Sequence, residues 1–111
     1  MDYQFEIDWK NTLKKLSEFG FEAIEDLDAI LYIIGVQELG KGPKKFAKDD
    51  KVDLMHLAVC TVLEPFGFYK YTHTDEEGWP HYEVQSKLPH LNDMEQERLM
   101  KQAVIDYFKF Y

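Results

Sequence analysis

The stretch DLMHLAVCTVLEPFG, residues 53–67, decides the fold because a long apolar run ends there abruptly. Its composition predicts a helix from about Asp50 to Leu63. Pro65 lacks an amide hydrogen and disfavours helical backbone before it, so Pro65 and Gly67 are expected to end the helix. The apolar side chains of this segment predict that the helix lies in the core.

A second buried helix is predicted from the run AILYIIGV, residues 29–36, which is apolar on every side. Asp28 is the expected N-cap, and Gly40 is expected to close the helix just after Leu39. Gly35 lies inside this helix, where glycine costs about 1 kcal/mol relative to alanine. We therefore expect another backbone to approach closely at Gly35.

The first helix is predicted from the apolar spacing of Trp9, Leu13 and Leu16. Asp8 is the expected N-cap, and Gly20 follows the end of the pattern, where a left-handed residue is favoured. This spacing predicts a surface helix with one buried stripe.

The last helix is predicted to begin near Asn92 or Asp93, with a capping box in which Gln96 reaches back to the cap. Its apolar residues recur at spacings of three and four and therefore share one face. These residues are Met100, Ala103, Val104, Tyr107, Phe108 and Tyr111.

Two short β-prone runs, 66–73 and 79–84, flank a turn that contains Gly78. They predict a hairpin that must rest on the helices, because an isolated hairpin is only marginally stable. The expected fold class is mainly α. It is a compact four-helix domain, 1–111, with one small two-stranded antiparallel β-hairpin between the third and last helices.

Composition restricts the function classes. The formal net charge of −8 opposes approach to a nucleic-acid backbone, so no nucleic-acid partner is expected. A lysine-rich stretch at 41–51 leaves an anionic partner as a third alternative. A single cysteine and the lack of a signal-peptide pattern predict a cytoplasmic protein. The run 29–36 is too short to span a bilayer, so no membrane association is expected.

One candidate site lies on the third helix, where steps of three and four residues place four polar side chains on one ridge. Those residues are Asp53, His56, Cys60 and Glu64. His56, Cys60 and Glu64 form a candidate metal or thiol site, with a further ligand from His73, His81 or Glu38. The alternative is packing, since cysteine behaves as a small hydrophobe and a half-buried histidine is often satisfied by a neighbour. No cofactor and no catalytic residue is predicted.

The second candidate is an interaction patch of aromatic residues beside acidic ones. Its residues are Trp79, His81, Tyr82, Tyr107 and Tyr111. The alternative is that Trp79 and Tyr82 fold back onto the helices and anchor the hairpin.

Four stretches, LYIIGVQELG, DLMHLAVCTVL, DEEGWPHYE and AVIDYF, resemble those of short uncharacterised bacterial proteins of the Bacteroidetes type. The resemblance covers most of the chain and implies no activity, cofactor or site residue. The leading hypothesis from the residues is therefore a small acidic protein-interaction module that binds itself as a homodimer or binds another protein. The rival is a metal-binding or thiol-dependent enzyme centred on His56, Cys60 and Glu64.

Overall fold

The computed structural model describes residues 3–18, 20, 26–40 and 48–109, apart from the side chains of residues 48 and 49. Over these residues the chain forms four α-helices, with a two-stranded antiparallel hairpin between the third and the fourth. The predicted fold class is therefore confirmed. The elements are α1 (Tyr3–Glu18), α2 (Leu27–Leu39), α3 (Lys48–Leu63), β1 (Tyr69–Thr74), β2 (Pro80–Val84) and α4 (Asp93–Phe108).

Helix α1 begins at Tyr3, more than one turn before the predicted cap at Asp8. Asp8 lies inside the helix, where its carboxylate accepts a hydrogen bond of 2.8 Å from the Gln4 side-chain amide. The prediction of Asp8 as N-cap is wrong because the buried stripe already includes Phe5, so the helix extends toward the N-terminus beyond Asp8. The buried stripe of α1 is Phe5, Trp9, Thr12 and Leu16.

The predicted cap of α2 at Asp28 is wrong by two residues, whereas the last helix is capped by Asn92, one of its two predicted starts. Asp26 caps α2 and accepts a hydrogen bond of 3.0 Å from the amide of Asp28, which belongs to the first turn. Asn92 caps α4 in a capping box whose second member is Glu95 rather than Gln96. The box requires the third helical residue, and Glu95 holds that position once Asn92 is the cap.

Helices α2 and α3 make the most extensive helix contact of the fold, and they meet at Gly35. A Cβ atom at this position would overlap the carbonyl oxygen of Leu54 and lie 2.7 Å from its carbonyl carbon. The predicted close approach of another backbone is confirmed. Asp28 and Gln37 are the exposed residues of α2, as expected for a helix with neighbours on most sides.

The main core draws residues from all four helices, including Trp9, Ile34, Leu63 and Val104. A second, smaller cluster consists of Leu39, Leu54 and Leu57, with half-buried aromatic residues packed on it. Within the part of the chain that the structure describes, every helix is too short or too polar to cross a lipid bilayer.

The hairpin pairs Tyr71 with Tyr82 across β1 and β2, and the register shifts between Tyr71 and His73. Its turn contains Gly78 at φ +87° and is held by Asp75. One oxygen of the Asp75 carboxylate accepts hydrogen bonds from the amides of Glu77 and Trp79, at 2.9 and 3.0 Å. The predicted hairpin and its glycine-containing turn are therefore confirmed.

Candidate functional site

The ridge on α3 divides into an exposed histidine and a buried cysteine. His56 is exposed, whereas Cys60 is only 3% exposed, and the Cys60 Sγ lies 3.7 Å from the His56 Nε2. Glu64, in the single 3-10 turn that follows α3, accepts a hydrogen bond of 2.6 Å from the Tyr71 amide. This carboxylate thus ties β1 to the end of the helix and does not converge on the thiol.

Burial raises the pKa of the Cys60 thiol to about 11, and a hydrogen bond with its own backbone only partly opposes that rise. The reactive form of cysteine is the thiolate, which forms readily when the pKa is lowered by a cationic neighbour or a helix N-terminus. Cys60 has the opposite environment. Its geometry therefore adds no support to a thiol-dependent reaction.

The residues proposed as additional metal ligands are engaged elsewhere. His81 lies 2.7 Å from a carboxylate oxygen of Asp75 and stacks on His73 with ring centroids 4.7 Å apart. Glu38 accepts a hydrogen bond of 2.9 Å from the Tyr107 hydroxyl. Among the described residues, no three histidine, cysteine or acidic side chains are grouped so that they fit a metal ion. The metal or thiol site stays a prediction, and packing accounts for the contacts of Cys60.

The described residues of the aromatic patch differ in exposure and in what they contact. Trp79 and Tyr82 are half-buried and pack against the cluster of Leu39, Leu54 and Leu57, which is the alternative that the sequence left open. His81 remains exposed on the hairpin. Tyr107 is half-buried on α4, and Tyr111 lies outside the described residues.

The Tyr82 hydroxyl lies 3.2 Å from the Thr61 hydroxyl, which joins the hairpin to α3. Burial is the main cause that raises the pKa of Tyr82, while the hydrogen bond with Thr61 lowers it. The negative charges of Glu64 and Glu38 raise the Tyr82 pKa further.

An open groove of about 600 Å³ lies between α3 and α4, beside Thr61. Its described lining residues are Thr61, Val62, Pro65, Ala103, Asp106, Tyr107 and Lys109. The surface of the groove is mostly apolar, and its charged described residues, Asp106 and Lys109, pair with each other at a Nζ–Oδ1 distance of 3.4 Å. The volume lies within the usual range for binding pockets.

Of this groove, the sequence analysis singled out Tyr107 as an interaction residue but missed Thr61, Val62 and Pro65. The sequence feature that could have indicated the groove was Ala103, a small side chain on a face of the last helix that otherwise carries bulky residues. Small side chains at a helix contact leave a groove unless the two backbones close in, as they do at Gly35. Helix separation is a tertiary property, so that signal alone did not predict the groove.

No family model, curated protein or solved structure matches this chain. The resemblance to short bacterial proteins therefore stays a prediction.

Proposed function

We propose that this protein is a protein-interaction module that binds an apolar helix face of its partner in the groove between α3 and α4. The observation that carries the proposal is the open, mostly apolar groove of about 600 Å³. Concave, mostly apolar clefts of this volume are common binding sites. Tyr107, which belongs to the predicted interaction patch, forms one wall of this groove.

The polar atoms around the groove favour a protein partner over a small polar ligand. The Thr61 hydroxyl donates to the Leu57 carbonyl at 2.8 Å, and the Tyr107 hydroxyl donates to Glu38. Asp106 accepts a hydrogen bond of 3.1 Å from the Gln102 amide. A small-molecule site needs polar groups that converge on the ligand, and these groups already bond to neighbours. Among the described lining residues, Pro65 and the half-buried Tyr107 are the apolar surfaces left open, because Val62 and Ala103 are packed in the main core.

The position of the groove favours a helix as the bound element. A third helix packs well into the furrow between two helices, because its ridge of side chains follows the furrow. Apolar residues spaced by three and four on such a helix would contact Pro65 and Tyr107, the more exposed of the apolar side chains that line the groove. An amphipathic helix is therefore the expected ligand.

Photo-crosslinking from the rim tests this function. A photoreactive amino acid replaces Lys109, which lines the groove, and is activated in cells that naturally make the protein. We expect one discrete adduct with a defined mass. The matched control carries the same photoreactive residue at Lys70, which is exposed on β1 outside the groove. No adduct from position 109, or the same adducts from both positions, would overturn the proposed function.

A further inference from the structure

The two edges of the hairpin differ in how their backbone groups are satisfied. On the β1 side, the Tyr71 amide points away from β2 and donates to the Glu64 carboxylate at 2.6 Å. The register shifts directly after Tyr71, and an irregularity of this kind discourages pairing with a further strand. The outer edge of β1 is therefore protected near its centre.

The backbone of β2 bonds to β1 at every second residue. The Gln85 amide donates to the Phe68 carbonyl at 2.9 Å, and the Asp75 amide donates to the Trp79 carbonyl at 2.9 Å. Because antiparallel pairing alternates along a strand, these two bonds fix which residues of β2 face β1. The residues between them direct their backbone groups to the outer edge of β2. Those residues are Pro80, Tyr82 and Val84.

Within the described part of the chain, this outer edge lacks hydrogen-bond partners. Pro80 has no amide hydrogen, but its carbonyl and the amides and carbonyls of Tyr82 and Val84 bond to no described residue. The Val84 side chain is also 66% exposed, although it is apolar. An edge strand with free donors and acceptors is a template for a further strand.

We infer that the outer edge of β2 pairs with the same edge of a second copy of this chain, which joins the two hairpins into one antiparallel sheet. Two identical strands paired in this way are related by a two-fold axis, so the contact closes at two subunits. This edge is separate from the groove between α3 and α4. The inference therefore goes beyond the proposed function and does not depend on it.

Two registers of this pairing form the same number of hydrogen bonds. With the two-fold axis at Tyr82, each Tyr82 amide donates to the opposite Tyr82 carbonyl, and each Val84 amide donates to the opposite Pro80 carbonyl. This register also places the exposed Val84 side chain beside the Pro80 ring of the second copy. With the axis at Glu83, each Tyr82 instead exchanges its bonds with the opposite Val84. Hydrogen bonding alone does not distinguish the two registers.

The side chains of β2 do distinguish the two registers. With the axis at Glu83, the two Glu83 carboxylates lie directly opposite each other, and like charges in that position destabilise a strand pair. With the axis at Tyr82, each Glu83 lies opposite His81, whose ring already binds a carboxylate, that of Asp75, at 2.7 Å. Both side chains are exposed and free to meet across the contact. The strand is therefore complementary to itself about Tyr82, which favours a second copy as the occupant.

Amide hydrogen exchange tests the edge in the unaltered protein. The protein is studied at physiological salt, which screens the repulsion between copies with a net charge of −8. As its concentration rises from micromolar to millimolar, exchange at the Tyr82 and Val84 amides should slow by about tenfold or more. The matched control is the Glu83 amide, which faces β1 in the same strand and should change far less.

Sedimentation velocity over the same concentrations gives the number of subunits, and we expect a monomer that converts to a dimer. A protein that sediments as a monomer throughout would overturn the inference. A dimer in which the Tyr82 and Val84 amides exchange as fast as in the monomer would also overturn it, because the edge would then lie outside the interface.

A first variant removes one donor from the edge. Val84→Pro deletes an amide hydrogen that points away from β1 and is expected to lower the association constant by about tenfold, since each copy loses one bond across the contact. Val84→Thr is the matched control, because it keeps the amide and the branched side chain, and it should associate like the original protein. Near-ultraviolet circular dichroism verifies that Trp79 and Tyr82 remain packed. Equal association of the two variants would overturn the inference.

A second variant tests the register about Tyr82. His81→Glu places a carboxylate opposite Glu83 on both sides of the two-fold axis and is expected to weaken association by about tenfold. His81→Lys is the matched control, because it also loses the imidazole but presents a positive charge to Glu83, and it should associate at least as well as the original protein. Equal association of these two variants would overturn the inference.

Discussion

Helix α3 makes two helix contacts of opposite character. Against α2 the backbones touch, because Gly35 has no side chain to hold the Leu54 carbonyl away. Against α4 the small Ala103 does not bring the backbones together, and an open groove remains beside Val62. A missing side chain thus closes one contact, whereas a small side chain in the other leaves an open groove.

The largest effect is expected from closing the space at Gly35. Gly35→Ala should lower the free energy of unfolding by about 3 kcal/mol, because the new methyl group overlaps the Leu54 backbone, which has little freedom to move. Without that contact the same change would stabilise the helix by about 0.5–1 kcal/mol. The sign of the effect is therefore decisive. Urea denaturation measures it.

Gly40→Ala is the control for this variant. Gly40 ends α2 at φ +71°, and a Cβ there would meet open space. The expected cost is about 1–2 kcal/mol, which comes from the left-handed backbone alone. A stability loss at Gly35 no greater than that at Gly40 would contradict the close contact between α2 and α3.

The second effect concerns Cys60, which lies along α3 between these two contacts. Its pKa of about 11, against the ordinary 9.0, predicts that a thiol reagent at pH 8 modifies the folded protein about a hundredfold more slowly than the unfolded one. An aromatic disulfide reagent, with and without urea, measures the two rates. Fast modification of the folded protein would contradict the burial of Cys60 and would support the hypothesis of a thiol-dependent site.

The same pKa sets a pH dependence of stability. A raised acid pKa means that deprotonation favours the unfolded chain, so the contribution is intact below pH 9 and is lost as pH rises toward 11. The stability difference between the original protein and Cys60→Ala should therefore shrink across that interval. A difference that stays constant would contradict the raised pKa.

A smaller effect is expected where α4 is tied to α2. Tyr107→Phe removes the hydrogen bond to Glu38 and should lower the free energy of unfolding by about 1 kcal/mol. Tyr71→Phe is the matched control, because it removes an exposed hydroxyl contact with Thr74 inside the hairpin. Equal losses of stability in the two variants would indicate that the hydrogen bond to Glu38 contributes little to holding α4 against α2.

The smallest effect is expected at the hairpin turn, away from both helix contacts. Hydrogen bonds from His81 and from the Trp79 amide hold the pKa of Asp75 below its ordinary 3.8. The carboxylate therefore supports the turn above that pH, and its support is lost as the pH falls further. Asp75→Ala should speed hydrogen exchange at the Trp79 amide, with little change in global stability. Asp75→Asn keeps an acceptor oxygen and should exchange more slowly than the alanine variant.

Local signals predicted the elements well and the ends of helices less well. Gly40 and Gly67 end their elements as expected because a left-handed residue is a local requirement. The start of α1 was predicted too late because Asp8 resembles a cap, whereas burial of Phe5 extends the helix past it. A side chain that could cap a helix is therefore not enough to locate the helix start, because packing of the neighbouring residues also determines it.

The direction of the hairpin rings was not predictable from residue types. Trp79 and Tyr82 suit a binding patch and a hairpin anchor equally, and the sequence left both alternatives open. In the structure both rings pack on the cluster of Leu39, Leu54 and Leu57, so they anchor the hairpin to the helices. The predicted ridge on α3 is divided by another tertiary contact, since Glu64 accepts a hydrogen bond from the Tyr71 amide.

The sequence by itself determined the four helices, the hairpin between the last two and the close approach at Gly35. These features depend on periodicity, turn chemistry and the absence of a side chain, all of which act over a few residues. Only the tertiary structure decided where the rings turn, that Cys60 is buried and that a groove remains beside Ala103. Those outcomes depend on the distance between elements far apart in the chain, and no local pattern specifies that distance.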